Sequence, residues 1–287
     1  MTLRKRKPEK TWFERTVRSA GAMLLALSVS LPSASQSIAD EPSAIELDYK
    51  IFLGGLHALS MTTQLSRDGD AGYRMAVDAA TDGFIGALVD ARYRAESEGV
   101  TAEHTASPRR FQGVSGQDGD GDGKTVTVVY RDGAAPEVAF APAHEAPSDP
   151  LPADMTTATV DPPSAMMTLM ETLGTTGRCD ATVKVFDGKR RYNLMSSHAG
   201  ELYLKASGIA PYDGPAVECR VGIERIAGFR TGRFAKRYPD EITIFLASVI
   251  DGAPPVPVRL HAKNMFGALR MHLVALRGVG GQGAAKE

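Results

Sequence analysis

Cysteine is scarce in this chain of 287 residues: only Cys179 and Cys219 occur. Two thiols cannot complete a zinc site, and no Cys-x-x-Cys or His-x-x-x-His accompanies them. None of the six histidines (His57, His104, His144, His198, His261, His272) has metal-ligand spacing. A Gly-x-Ser-x-Gly elbow and a phosphate-cradling Gly-x-x-x-x-Gly-Lys are both missing, so neither a hydrolase nucleophile nor a nucleotide cofactor is signalled. A serine, a histidine and an acid could still converge from scattered strands. No catalytic residue and no cofactor is therefore assigned. Long hydrophobic runs are also lacking. After Ala39 nothing approaches the roughly 20 apolar residues that a transmembrane helix needs.

What is present at the start is a basic, then apolar, then small-residue pattern. Residues 2–18 hold seven basic side chains against Glu9 and Glu14, and Ala20–Leu31 is an apolar run. Ser37-Ile38-Ala39 then supplies small residues before Asp40. This is the three-part layout of a secretory signal over 1–39, with an uncleaved membrane anchor as its rival. No Cys follows the cleavage region and no paired arginines precede the apolar run, which argues against lipid anchoring and against export of a folded protein. The expected location is the periplasm. Of the chain's 33 basic and 34 acidic residues, seven and two lie in 1–39, so the remainder carries 26 and 32, a net charge of −6. That disfavours nucleic acid as a partner. In an oxidising compartment an isolated even pair of cysteines is most simply a disulfide, here closing a 40-residue loop, worth about 4 kcal/mol by chain entropy. A redox-active pair is the alternative, but such pairs usually stand close in sequence.

The rest of the chain alternates with period two. Ile45, Leu47, Tyr49 and Ile51 interleave with Glu46, Asp48 and Lys50, the mark of a strand with one buried and one wet face. Strands are expected over His57–Leu65, Tyr73–Val77, Tyr93–Glu98, Gly99–Ser107, Arg109–Val114 and Lys124–Tyr130. Further strands follow at Thr182–Phe186, Arg191–Met195, Val217–Ile223, Ile242–Val249, Val256–Ala262 and Ala268–Leu276. Thr81–Val89 is closer to helical spacing, and 132–163 reads as irregular surface chain. One helix stands out. Asp161 can cap it, Pro162 and Pro163 suit its first turn, Ala165, Met166, Leu169, Met170 and Leu173 form its apolar stripe, and Gly174 ends it. About a dozen strands are too many for a flat open sheet. The expected fold is mainly β: an antiparallel curved sheet closing into a barrel or half barrel, with one short amphipathic helix packed against it. It occupies 40–277 as one domain, followed by a disordered tail over 278–287.

Several residues together point to a family. They are Tyr49 followed by Gly54-Gly55-Leu56, then Asp161-Pro162-Pro163-Ser164-Ala165, then Cys179 ahead of Val185-Phe186-Asp187-Gly188-Lys189-Arg190-Arg191-Tyr192. Cys219 within Val-Glu-Cys-Arg-Val, Gly228 and Pro257-Val258-Arg259 complete the set. Over residues 44–276 the chain resembles the uncharacterised bacterial periplasmic family catalogued as domain of unknown function 3108. The resemblance implies an envelope location and a β fold, and supplies no activity. Such folds are similar in outline to periplasmic lipoprotein carriers, in which a curved sheet encloses an apolar cavity under a helical lid.

Candidate sites follow. Met166, Met167 and Met170 offer flexible, polarizable side chains for an adaptable pocket, or else simply fill core. With Leu169, Phe186 and Tyr192, Met166 and Met170 are the candidate contacts for an apolar or amphipathic small molecule or lipid. Arg220, Arg225, Arg230, Arg233, Lys236 and Arg237, interleaved with aromatics, are candidate anion contacts, or else a solvated loop and strand edge. Lys184, Lys189, Arg190 and Arg191 form a second basic patch. Asp118, Asp120 and Asp122 match the opening of a calcium loop, but its twelfth position is Val129, so a polar hairpin tip is the simpler reading. The leading expectation is a non-catalytic binder of an apolar or amphipathic ligand. An envelope-assembly interaction protein using its outer surface and the 220–237 segment comes second, and an enzyme third.

Overall fold

The computed structural model describes residues 44–69, 71–116, 123–230, 239, 241–264 and 267–279. The expected signal over 1–39 and the tail beyond Val279 lie outside them. Seven strands come before the long helix: β1 (Ala44–Leu53), β2 (Leu56–Asp68), β3 (Gly72–Thr81), β4 (Arg92–Ala102), β5 (Thr105–Gly116), β6 (Lys124–Val129) and β7 (Glu137–Ala141). Six come after it: β8 (Ala181–Phe186), β9 (Arg191–Leu204), β10 (Gly214–Ala227), β11 (Glu241–Ala247), β12 (Val256–Asn264) and β13 (Gly267–Val279). Two single-turn helices, α1 (Gly83–Gly86) and α2 (Ala153–Thr156), precede the 15-residue α3 (Pro162–Thr176).

The described strands form one antiparallel sheet in the order β7-β6-β5-β4-β3-β2-β1-β13-β12-β11-β10-β9-β8. It consists of two meanders joined where β1 pairs with β13 along their whole lengths, from Ala44 opposite Val279 to Leu53 opposite Leu269. The hydrogen bonding does not close into a barrel. β7 and β8 remain as edges, so the half-barrel alternative is the one realised.

Alternation assigns the faces. Ile45, Leu47 and Tyr49 are buried on the concave side. Glu46 and Asp48 lie on the convex side with Arg277, Gln64 and Thr62. Convex ion pairs of this exposed kind each contribute about 0–1 kcal/mol, so the fold rests on the concave face.

That face is filled by α3. The chain leaves the sheet at one edge, β7, and must re-enter at the other, β8, and α3 lies on the connection between them. It touches β3, β4 and β5 on one side and β8 on the other. Ala165, Met167, Thr168, Leu169, Met170 and Leu173 are all buried, so apolar side chains cover more of its circumference than a one-sided surface helix shows. Asp161 caps its start by accepting from the Ser164 amide at 2.9 Å. The edges themselves are covered. Val160 lies beside β8, donating to Lys184 and accepting from Phe186. The β8–β9 turn reaches the other end of the sheet, where a side chain at Gly188 would come within 2.4 Å of Val126. The Tyr130 hydroxyl donates to the Phe186 carbonyl at 3.1 Å across the same seam.

Several expectations need correction. The helix does not stop at Gly174, which lies against Pro255. It runs to Thr176, with Gly177 in the left-handed region at φ 70° as its C-terminal cap. The stretch 132–163 is not wholly irregular, since Glu137–Ala141 forms edge strand β7, with Val138 and Phe140 opposite Val128 and Val126. Gly99–Ser107 is no separate strand. It spans the β4–β5 hairpin, whose turn residues Glu103 and His104 both have positive φ, as a two-residue hairpin turn requires. The sheet also continues through Gly278 and Val279, two residues that the sequence assigns to the tail.

Cys179 and Cys219 are bonded and fully buried, with Cα atoms 6.1 Å apart. The bond ties the chain just after α3 to β10. Replacing both with serine is expected to lower unfolding free energy by about 4 kcal/mol in urea titrations. An unchanged midpoint would contradict this.

Candidate functional site

Cross-strand register builds the concave floor in rows. One row runs Leu47, Thr63, Val77, Ala95, Gly113, Val126, Phe140 across β1 to β7. The next runs Tyr49, Met61, Ala79, Tyr93, Ser115, Lys124. Each row changes character along its length. From β1 to β4 it lines an apolar cavity of about 310 Å3, and from β5 onward it lines a polar pocket of about 300 Å3 beside the seam. Tyr93 borders both. It faces the concave side yet remains 42% exposed, so the floor opens to solvent at this point.

The roof of the apolar cavity is the first half of α3: Pro162, Pro163, Met166 and Met170. Pro257, Leu260 and Met271 close the side toward β12 and β13. Among the described residues the hydroxyl-bearing linings are Thr63, Tyr49 and Tyr93, and the Tyr49 hydroxyl is occupied, donating to the Pro257 carbonyl at 3.0 Å. Four methionines (Met61, Met75, Met166, Met271) and Met170 give the wall side chains that can re-pack around different shapes.

The predicted contacts divide. Met166 and Met170 line the cavity. Leu169 does not, because it points into the main core and is fully buried. Phe186 packs with Ala95, Phe111 and Val128 in the core under the seam. Tyr192 packs beside Ala165, Val183 and Val185, with its ring 6.0 Å from that of Phe229. Both belong to the β8–β9 hairpin, and neither lines this cavity. Leu47, Val77, Ala95 and Met75 are cavity residues that the sequence did not single out. They come from β1, β3 and β4, and only the register brings these strands' residues together.

The predicted anion contacts divide too. Arg220 lies on the sheet with Glu218 3.6 Å away. Arg225 sits opposite Tyr192 near the end of β10. Arg230 lines the seam pocket together with Lys189 and Arg190 of the second basic patch. Arg233, Lys236 and Arg237 lie outside the described residues, as do Asp118, Asp120 and Asp122. Among the described residues no three His, Cys, Asp or Glu side chains gather as a metal site. His261 and His272 are neighbours, with rings 6.4 Å apart. His272 is 4% exposed, neither ring nitrogen has a hydrogen-bond partner among the described residues, and burial with nearby Arg259 pushes its pKa down to about 4.

Asp161 is the least expected feature. The sequence identifies it as a cap but not as a wholly buried carboxylate. Its Oδ1 accepts from the Ser164 amide, and its Oδ2 accepts from the hydroxyls of Ser97 at 2.9 Å and Ser164 at 2.7 Å. Tyr73 stands 2.6 Å from Ser164 Oγ and completes the cluster. Burial pushes the carboxyl pKa up to about 6, against the three hydrogen bonds that pull it down. Both serine hydroxyls are committed to this carboxylate, so the cluster fixes the start of α3 between β3 and β4.

A sequence profile described as "Protein of unknown function (DUF3108)" matches residues 48–274. The chain belongs to the DUF3108 family. This family supplies no activity to carry over. No curated protein matches this DUF3108 chain. Among solved structures, it is similar to a beta-barrel-like protein of domain of unknown function DUF1849 from Brucella abortus. The two share 12% identity at a TM-score of 0.50, over 83% of this chain and 98% of the other. That likeness concerns the fold alone.

The raised pKa of Asp161 gives a sign. Below pH 4 the carboxyl is protonated in both folded and unfolded chains. Between about pH 4 and 6 the unfolded chain releases its proton first, so folding stability falls as pH rises, by about 3 kcal/mol for a shift from 3.8 to about 6. Asp161→Asn lacks this loss. Its stability relative to the parent should improve by about that amount between pH 4 and 6 in denaturant titrations. A difference independent of pH would refute the assignment.

Proposed function

We propose that this protein is a non-catalytic binder of an apolar or amphipathic ligand, held in the cavity between β1–β4 and α3. The observation that carries the reading is the lining. Sixteen described residues surround the space, and of these sixteen only Tyr49, Thr63 and Tyr93 bear a polar side-chain group. An opening at Tyr93 gives access. The volume of about 310 Å3 lies at the lower end of the roughly 300–1,000 Å3 typical of small-molecule pockets. Methionine-rich walls favour tolerance over strict shape selection.

The place of action is the periplasm, reached through a signal over residues 1–39 and followed by one domain from residue 40. Support comes from the basic-apolar-small pattern of the first 39 residues and from the buried Cys179–Cys219 bond, which persists in oxidising compartments. Among the described residues no helix is long and apolar enough to cross a membrane.

The neutral fluorophore N-phenyl-1-naphthylamine tests the cavity. It should bind saturably and raise the thermal midpoint. Val77→Phe should abolish binding while costing less than about 1 kcal/mol, because the added ring enters empty space rather than packed core. If the probe fails to bind and Val77→Phe destabilises by the roughly 1–3 kcal/mol of an overpacked interior, the reading is wrong.

A further inference from the structure

The seam pocket adjoins the apolar cavity residue by residue. Ala95 of the cavity pairs with Gly113 of the pocket, and Tyr93 pairs with Ser115. Phe111 and Phe140 line the pocket, and among the described residues its charged lining is Lys124, Lys189, Arg190 and Arg230 with Glu145 and Asp187. Asp187 is consumed by its own turn. It accepts from the amides of Lys189 at 3.0 Å and Arg190 at 2.7 Å, and from Arg190 Nε at 2.7 Å. Glu145 is divided between two ammonium groups, Lys124 at 2.9 Å and Lys189 at 3.5 Å. Lys189 also stands 5.1 Å above the Phe140 ring. Among the described residues, two lysines sharing one carboxylate leave a positive surplus in a partly enclosed space, where charges are screened less than on an open surface.

We propose that this pocket receives the anionic head of a single-chain amphiphile whose tail lies in the methionine-lined cavity. The proposal rests on the apolar-ligand reading above and adds the class of ligand: one chain, ending in a carboxylate or a phosphate monoester. The head contacts Lys124 and Lys189, with Arg190 and Arg230 beside them. The chain passes Tyr93 into the space under Met166. A neutral head would leave the two lysines with one carboxylate between them, whereas an anion supplies a second negative charge. The arrangement also accounts for two basic segments that are remote in sequence, 189–190 and 230, lining one pocket.

The test is competition against bound cis-parinaric acid, whose fluorescence reports an apolar site. Palmitate and 1-palmitoyl lysophosphatidate should displace it at least about tenfold more effectively than monopalmitin, which has the same chain and a neutral head. Whichever anion is stronger identifies the head. Lys124→Gln with Lys189→Gln should remove most of that preference while leaving binding of parinaric acid methyl ester unchanged, which also verifies that the variant is folded. Equal displacement by all three lipids, or an unaltered preference in the double variant, would overturn the head-group assignment while leaving the cavity reading intact. Inorganic phosphate displacing the acid as well as lysophosphatidate does would make the pocket a small-anion site and also overturn the proposal. Failure of both the acid and the ester to bind would remove the cavity reading itself.

Discussion

The chain begins its second meander at the opposite edge of the sheet from the one where it ends the first, and it bridges the two through the concave side. Everything else follows from how that crossing is held. A helix there must satisfy its first amides without water, and Asp161 does so from within the core, with Ser97 of β4 and Ser164 of the helix fixing the carboxylate. Burying a carboxylate is costly unless hydrogen bonds compensate, and the rise of its pKa to about 6 records how far the compensation falls short. In return, the helix start is fixed against β3 and β4. Pro162, Pro163, Met166 and Met170 then stand above the floor as a roof rather than collapsing onto it.

The fixed roof and curved floor divide the interior into regions of different chemistry. Under the later half of α3 and toward β10–β13 the space is solid core, clamped by the Cys179–Cys219 bond. Under its first half the floor is apolar and unfilled. At the seam, where the β8–β9 turn meets β6, aromatic faces meet lysines and arginines. The gradient from apolar to cationic runs along single register rows, so it is a property of strand order. A fold shared with a Brucella abortus protein at 12% identity carries no such detail. The lining of this chain has to speak for itself.

Much of the fold was legible because its signals are local. Ile45, Leu47 and Tyr49 announce a one-sided strand, Asp161-Pro162-Pro163 announces a helix start, and an isolated cysteine pair announces a bridge. Features without a local signal were missed. The turn at Glu103-His104 carries neither Gly nor Asn, although both residues adopt positive φ. β7 is five residues long within an Ala- and Pro-rich stretch. The helix passes Gly174, where an added Cβ would crowd Pro255, and ends instead at Gly177, whose φ of 70° only glycine adopts readily. The candidate site was half legible for the same reason. Met166 and Met170 share a helix face, so their spacing reveals them. Leu47, Val77 and Ala95 become neighbours only through a four-strand register, and Lys124 meets Lys189 only because the sheet curves until its ends touch. Phe186 and Tyr192 resemble pocket residues in sequence, but they fall on the hairpin whose side chains fill the core beside the seam.

The central claim is that a pinned interior helix keeps an apolar space open beneath its first half. Crystals equilibrated under xenon pressure test it most directly, because xenon enters dry apolar cavities and avoids polar or filled ones. Xenon should occupy the space bounded by Met61, Met75 and Met166, with α3 unmoved. Ordered water at that position, or methionine side chains filling it with no xenon bound, would contradict the account.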